Sequence, residues 1–277
     1  MRFPLVGLYT VMRLKKQLNF IKKLPNKLNR FYSKNSKSKL IIHNKSKNNI
    51  EFNPVTNFDK NFEKYIRSLI SKKFDKDGII GEEFKKKISL NNYKWSVDPI
   101  DGTKSFVIGV PTWSNLIGLL FKENSILGLA NFPELNRYYF NDEKKSYVHK
   151  NKKKFTLNSL NNYKINKIKI IGNFYGKINL KTRDKIINKF GKSFRLISHD
   201  ALNYCLVAEG KLDAVIETNL KPYDIIPLIP ILKNSGACIS TWSGGNAEKG
   251  GNILATSNVK LQNKMTKILK PFINKIK

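Results

Sequence analysis

Cysteine is nearly absent. Cys205 and Cys238 are the only two in 277 residues, so no disulfide framework carries the fold. Both lie in apolar surroundings and read as buried thiols of a reducing compartment. Arginine is also scarce, occurring only at Arg2, Arg13, Arg30, Arg67, Arg137, Arg183 and Arg195. The formal charge of +32 is therefore almost all lysine, scattered among many asparagines. A surface built to read phosphates would favour the planar guanidinium fork. This charge reads instead as solvated surface, and it predicts no specific nucleic-acid partner, only nonspecific adhesion that salt removes. The densest run, Lys150-Asn151-Lys152-Lys153-Lys154, reads as a turn or loop. Long apolar runs are missing too. Met1–Val11 is apolar but too short to span a bilayer, and no clear small-residue cleavage site follows it, so no membrane span is expected and a weak targeting signal is the lesser reading. There is no internal repeat. Trp242-Ser243-Gly244-Gly245 and Gly250-Gly251 read as turns, because no strand-to-helix glycine fingerprint surrounds them. What remains is a chain with 40% apolar residues, long enough for a large core in one unit or two lobes.

Acids are few, 20 against 52 basic residues, which makes their placement informative. The run Trp95-Ser96-Val97-Asp98-Pro99-Ile100-Asp101-Gly102-Thr103 sets Asp98 and Asp101 close together and follows them with a Gly-Thr turn. Two such carboxylates, with the Ile100 carbonyl between them, offer the hard oxygens that Mg²⁺ prefers. If a short helix opens at the turn, the N–H groups of Gly102 and Thr103 face a phosphate. On its own this run reads better as an ordinary turn. Two further segments shift the balance: Ile79-Ile80-Gly81-Glu82-Glu83-Phe84 upstream and Lys221-Pro222-Tyr223-Asp224-Ile225-Ile226 downstream.

In this order and at these separations, the three segments resemble the inositol monophosphatase family of Mg²⁺-dependent, Li⁺-sensitive phosphatases. The resemblance runs from about Leu14 to the C-terminus. Its histidinol-phosphatase branch is the closer likeness, through Asp200-Ala201-Leu202-Asn203-Tyr204-Cys205-Leu206-Val207-Ala208-Glu209-Gly210, Leu212-Asp213-Ala214-Val215-Ile216-Glu217, Pro230 and Pro111-Thr112-Trp113-Ser114-Asn115-Leu116-Ile117-Gly118. Tyr223 stands where inositol phosphatases usually carry Trp. The resemblance implies a layered α-β-α-β-α sandwich, of mixed α+β and α/β character, and a homodimer. It also implies that Glu82, Asp98, Asp101, Asp224 and the Ile100 carbonyl hold two or three Mg²⁺ ions. Glu82 and Thr103 would then position or deprotonate the attacking water, Gly102 and Thr103 would cradle the phosphate, and Glu83 would support them. Asn53 stands where much of the family carries Asp, which puts a third ion in doubt.

The chain order predicts a basic amphipathic helix over about Leu14–Tyr32, bent or broken at Pro25. It also predicts a strand at Leu40-Ile41-Ile42 and a helix from about Val55-Thr56-Asn57-Phe58-Asp59 to Lys73, capped by Thr56 or Asp59. Antiparallel strands follow at Lys94–Val97, Trp113–Phe121, Ile126–Ala130 and Arg137–Phe140. From there strands and helices alternate: Lys167–Ile171, Leu180–Phe190, Phe194–Ile197, His199–Glu209, Ala214–Glu217, Tyr223–Asn234, Ala237–Ser240, Ile253–Ala255 and a last helix from Val259. This divides the chain into an N-terminal α+β lobe over residues 14–154 and a C-terminal α/β lobe over residues 155–277. Because the resemblance starts after Met12, Met1–Val11 reads as an artefact of start-codon choice, and residues 1–13 as a non-native or disordered extension.

The metals and the Gly-Thr turn see only phosphate, so substrate choice falls to groups beside the leaving alcohol. Histidinol carries an ammonium and an imidazole, and an ammonium entering a partly desolvated pocket needs a carboxylate. Asp200 and Glu217 are the expected partners of that charge, and Asn203 of the imidazole. Asp200 is equally well read as a first-turn acid favoured by its helix dipole. His199 reads as structural, and His43 and His149 are assigned nothing. The expectation is a cytoplasmic histidinol-phosphatase of histidine biosynthesis. The rival enzymes are an inositol-1-phosphate phosphatase or a bisphosphate nucleotidase, and the rival from another class is an RNA-associated regulator.

Overall fold

The computed structural model describes residues 5–46, 52–159, 168–174, 176, 178–191 and 194–275. Met1–Pro4 of the expected extension and the expected strand start at Lys167 lie outside the described residues. The first compact unit, Met1–Lys39, is built on a single helix α1 (Leu5–Asn35). This helix already includes the backbone of Leu5–Arg13 and runs through Pro25 without a break. Gln17, Ile21, Leu24 and Leu28 repeat at helical spacing on both sides of Pro25, and all four are buried. A buried stripe that continues across the proline outweighs the one backbone bond that the missing N–H removes.

The second unit, Leu40–Lys277, contains everything else. It opens with a short antiparallel pair, β1 (Ile42–Asn44) and β2 (Pro54–Thr56), which feeds helix α2 (Asn57–Lys73). Thr56 caps α2 reciprocally: its hydroxyl accepts from the N–H of Phe58 and Asp59, and its own N–H donates to Asp59 Oδ2 at 2.7 Å. Thr56→Ala should therefore cost about 1 kcal/mol, a fall of roughly 2–4 °C in melting temperature for a protein of this size. Differential scanning calorimetry reads that shift.

A seven-stranded sheet follows, in the order β3 (Gly78–Gly81), β4 (Tyr93–Asp101), β5 (Ser114–Phe121), β6 (Asn124–Phe132), β7 (Arg137–Asn141), β8 (Ser146–Lys150) and β9 (Lys153–Thr156). Only the β3–β4 pair is parallel. Within the lysine-rich run, Asn151 and Lys152 form the tight β8–β9 turn, while Lys150, Lys153 and Lys154, expected in a turn or loop, lie in the two strands. Strands β3, β8 and β9 had no counterpart in the sequence reading. The short helix α3 (Thr103–Val107) interrupts the sheet between β4 and β5.

The second sheet has the order β11 (Phe194–Leu196), β10 (Ile170–Phe174), β12 (Ala214–Leu220), β14 (Gly251–Thr256) and β13 (Cys238–Thr241). Pairs β10–β11 and β10–β12 are parallel, and the rest are antiparallel. Helices α5 (Ala201–Ala208) and α7 (Leu228–Lys233) lie between the sheets, packing Tyr204, Cys205, Ile229 and Leu232 against Leu116, Phe132 and Tyr139 on one side and Val215 and Ala255 on the other. Helices α4 (Leu180–Phe190) and α8 (Val259–Leu269) cover the outer face of the second sheet through Ile186, Leu261 and Met265. On the far side of the first sheet, Phe62 of α2 and Phe74, which caps its C-terminus, meet Trp113 and Trp95. The layers thus run α-β-α-β-α. Cys205 is buried, but Cys238 is only partly so, which corrects the reading of both as interior thiols.

The helix expected over Tyr223–Asn234 is two short helices, α6 (Pro222–Ile225) and α7, broken at Ile226-Pro227. Pro227 has no N–H to continue α6. A side chain at Gly128 would collide with the Pro227 carbonyl, so the break seats directly on β6. Ser125 secures it by donating its hydroxyl to the Ile226 carbonyl at 2.7 Å. This seating aims the start of α6 at β4.

Candidate active site

In a regular strand, Asp98 and Asp101 would face opposite sides of the sheet, because side chains alternate. Strand β4 avoids this with a bulge. Asp98 pairs with Leu116 and Asp101 with Ser114, so one extra residue of β4 is inserted across Pro99 and Ile100. The bulge turns both carboxylates to one side, where Asp224 from α6 joins them, and carboxylate oxygens of the three lie within 4.8 Å of one another. Each is separately oriented. Asp98 Oδ1 accepts the Ile100 N–H at 3.0 Å, Asp101 Oδ2 accepts the Ala201 N–H at 2.9 Å, and Asp224 Oδ2 accepts the Lys221 N–H at 2.7 Å.

Glu82 and Glu83 follow β3 directly. Glu63 of α2, itself paired with Arg67 Nε at 2.6 Å, accepts the Glu83 N–H at 2.6 Å and fixes the turn. The ammonium of Lys45 lies 2.9 Å from Glu82 Oε1 and 2.5 Å from Glu83 Oε1. The sequence reading passed over this lysine.

It also gave Asp59 only a capping role. Its Oδ2 does cap α2, but its Oδ1 lies 3.2 Å from the Thr103 hydroxyl, which is also 3.0 Å from the Ile100 carbonyl. Asp59 is thus an additional acid of the site, 99% removed from solvent. The Thr-x-x-Asp signature of the capping box located it without revealing the second contact. Asn53, read as an acid replaced by an amide, is exposed on the β1–β2 pair, where its backbone meets Lys45 and Asn44.

Gly102 precedes α3 with φ +80°, a left-handed conformation that favours glycine. A Cβ there would stand 2.6 Å from Asp200 Oδ2. Gly102→Ala should therefore lower both melting temperature and turnover, the backbone alone costing about 1–2 kcal/mol. Thermal melts beside a phosphate-release assay measure both losses. The same proximity brings Asp200 to the Gly102–Thr103 turn. Asp200 makes no side-chain cap on α5, and its Oδ1 accepts from the Ser198 hydroxyl at 3.1 Å. The helix N-terminus is served by Asp101 instead. Asn203 and Glu217 lie deeper and are fully buried. Asn203 donates to the Ile197 carbonyl at 3.3 Å, Glu217 accepts from the Tyr204 hydroxyl at 2.9 Å, and among the described residues Asn203 Oδ1 and Glu217 Oε1 make no hydrogen bond.

A model of the inositol monophosphatase family matches residues 17–276. The chain belongs to that family. It is 29% identical to a histidinol-phosphatase of Chlorobaculum parvum over 224 residues, covering 74% of this chain and 79% of the relative. It is 32% identical to a fructose-1,6-bisphosphatase/inositol-1-monophosphatase of Aquifex aeolicus over 191 residues, covering 66% and 70% of the two chains. Among solved structures, an IMPase of Thermotoga maritima superimposes with a TM-score of 0.78 over 95% of this chain and all of its own, at 22% identity. That likeness supports the layered fold.

The family uses Mg²⁺, and the acids fit such an ion. Burial and the charge of Glu82 push Asp98 well up from the ordinary carboxylate range, and burial and Asp200 do the same to Asp101. Burial raises Asp224 to about 6 against the opposing Lys221 N–H, and Glu82 to about 7 against the opposing charge of Lys45. Burial and the Asp200 charge raise Glu217 to about 8. Crowded carboxylates held above their ordinary range suit a bound cation, which would relieve their mutual repulsion.

The sign of the pH effect follows. Unfolded carboxyls titrate near about 4, so between there and about 8 the folded metal-free protein binds more protons than the unfolded chain. Stability must then fall as pH rises through that window. Melts in EDTA from pH 5 to 8 should show the fall, and saturating Mg²⁺ should flatten it. An EDTA profile that rises over this range would contradict the repulsion.

Proposed function

We propose that this family member is a Mg²⁺-dependent phosphomonoesterase whose substrate is histidinol phosphate. The observation that carries the hydrolytic reading is the convergence of Asp98, Asp101 and Asp224 beside Glu82, next to the Gly102–Thr103 turn. These acids, with the Ile100 carbonyl, would hold two or more Mg²⁺ ions, which supply charge neutralisation at the phosphate and a more acidic attacking water. Gly102 and Thr103 orient the phosphate with the N–H groups at the start of α3. Thr103 Oγ1 accepts a proton from the attacking water as it passes its own to Asp59 Oδ1, while Glu82 helps to position the water. The side chains supply a route to direct hydrolysis without a phosphoenzyme.

Asp200 supports the histidinol reading. It borders the phosphate turn, remains partly open to solvent and is not spent on capping α5. It takes the substrate ammonium, and Glu217 and Asn203 form the polar floor behind it. The Aquifex relative's name favours a second reading, a phosphatase of inositol 1-phosphate or a sugar bisphosphate. Phosphate release from histidinol phosphate, inositol 1-phosphate, fructose 1,6-bisphosphate and adenosine bisphosphate, with Mg²⁺ and with EDTA, separates them. We expect histidinol phosphate to give the highest kcat/KM and EDTA to abolish it. Equal or higher efficiency on another substrate transfers the assignment to that substrate. A cytoplasmic homodimer in histidine biosynthesis belongs to the same proposal. Among the described residues, no helix is long and apolar enough to cross a membrane. Light scattering reads the oligomeric state.

A further inference from the structure

Two lysines of the run that composition assigns to a solvated turn are placed by the first sheet in a defined array. Arg137 opens β7, Lys150 pairs with it at the end of β8, and Lys153 pairs with Lys150 at the start of β9. Directly paired residues share a face, so three like charges stand in one row across three strands, an arrangement that costs stability unless an anion offsets it. The structure offsets it with one carboxylate. Glu209, which caps the C-terminus of α5, accepts from Arg137 Nη1 at 3.4 Å, from Lys150 Nζ at 3.3 Å and from the Tyr139 hydroxyl, and it pairs with Lys211 Nζ at 2.8 Å.

Glu209 does not exhaust this charge. Burial acts to raise its carboxyl, yet the hydrogen bonds from Lys211 and Tyr139 hold it below its ordinary value, so it is ionised and still outnumbered by cations. Arg137 spends Nη1 on Tyr139 and Glu209, while its buried Nε makes no hydrogen bond among the described residues. Lys153 is exposed and, among the described residues, forms no ion pair. The side chains of Arg137, Lys150 and Lys211 keep 25%, 27% and 51% of their surface open, enough for a small ligand to reach them. A guanidinium with N–H groups to spare, ringed by ammoniums, suits an oxyanion that carries more than one charge. The cluster is also remote from the acids: the N–H that meets Asp101 is that of Ala201, at the other end of α5. The eight residues of that helix put about 12 Å between its ends. We propose that Arg137, Lys150, Lys153 and Lys211 form an anion site, separate from the acid cluster, that takes a small multiply charged phosphate. The metal reading is not needed for it.

Isothermal titration of pyrophosphate into the metal-free protein tests it, at about 0.15 M salt so that the scattered lysines are screened beyond about 8 Å. Without metal, the crowded carboxylates of the acid cluster repel the probe and do not compete for it. The parent should show one saturable event per chain and melt higher with pyrophosphate. Lys150→Met and Lys153→Met should each weaken that event roughly tenfold, the usual share of one charge-assisted hydrogen bond. Glu209→Gln should tighten it roughly fivefold, because the competing carboxylate is gone. Asp184→Asn removes an exposed acid on α4 and controls for net charge, so it should change affinity by less than about twofold. Lys153→Met leaves every contact of Glu209 intact, and it decides the matter even if Glu209→Gln does not fold. No saturable event in the parent overturns the inference, and so does an affinity that Lys153→Met leaves unchanged. A folded Glu209→Gln that binds no better than Asp184→Asn overturns it as well, and marks the cluster as a structural clamp on α5.

Discussion

Asp98→Asn and Asp224→Asn should each lower phosphate release by roughly a thousandfold or more, while the melting temperature in EDTA rises. The two effects have one cause. Each carboxylate is buried beside like charges and held above its ordinary range, so in the metal-free protein it opposes folding at neutral pH. An amide of the same shape removes that repulsion. It also keeps the oxygen that the Ile100 or Lys221 N–H requires, so the local backbone has no reason to move. If the trio holds Mg²⁺ as proposed, the balance reverses with the ion, because the amide contributes no charge to it. The parent should gain far more melting temperature from Mg²⁺ than either variant does. Calorimetry with and without Mg²⁺, beside a single phosphate-release assay, reads the whole pattern. Near-normal turnover at saturating Mg²⁺ in either variant would remove that acid from the metal site. A fall of melting temperature in EDTA would show that the carboxylate is structural.

Opposed effects of this kind explain why the acids were so legible in the sequence. A residue pattern that costs stability and sits in a chain poor in acids stands out against the bland reading of turns and caps. The first two acids also lie in one short segment whose Pro and Gly announce a break in the strand. The capping box of α2 was readable for the same reason, since Thr56 and Asp59 are neighbours in sequence. Contacts that depend on distant segments were not. The Thr103 hydroxyl meets Asp59 across 44 positions and Lys45 meets Glu82 across 37. Nothing local to Asp59 separates a cap from a cap that also reaches an active site. Lys45 was hidden by abundance, as one lysine in a lysine-rich surface. The errors in secondary structure have the opposite origin. Pro25 was overridden by the buried stripe around it, while Pro227 broke a helix that the apolar spacing favoured, because β6 leaves room there for the turn that delivers Asp224.

Asp200 was the one site acid for which two readings balanced, and its geometry leads to the largest expected effect on substrate choice. As a cap on α5 it would accept an N–H of the first turn. That N–H goes to Asp101, and the side chain of Asp200 turns toward Gly102 and Ser198. Its backbone holds φ +44°, an unusual conformation for a residue with a side chain, so the direction of the carboxylate is imposed by the fold. If it receives the substrate ammonium, Asp200→Asn should weaken kcat/KM for histidinol phosphate by roughly 2–5 kcal/mol, the usual cost of breaking a charge pair at a desolvated interface. Hydrolysis of a small neutral-alcohol phosphate should be nearly unchanged, because neither the acids that would hold Mg²⁺ nor the Gly102–Thr103 turn is altered. A mainly structural role predicts something else: equal losses on both substrates, together with a lower melting temperature. Measuring kcat/KM for the two substrates alongside the melt distinguishes the cases. An unchanged ratio would take Asp200 out of the specificity site, and a loss confined to the ammonium-bearing substrate would place the discriminating charge beside Gly102.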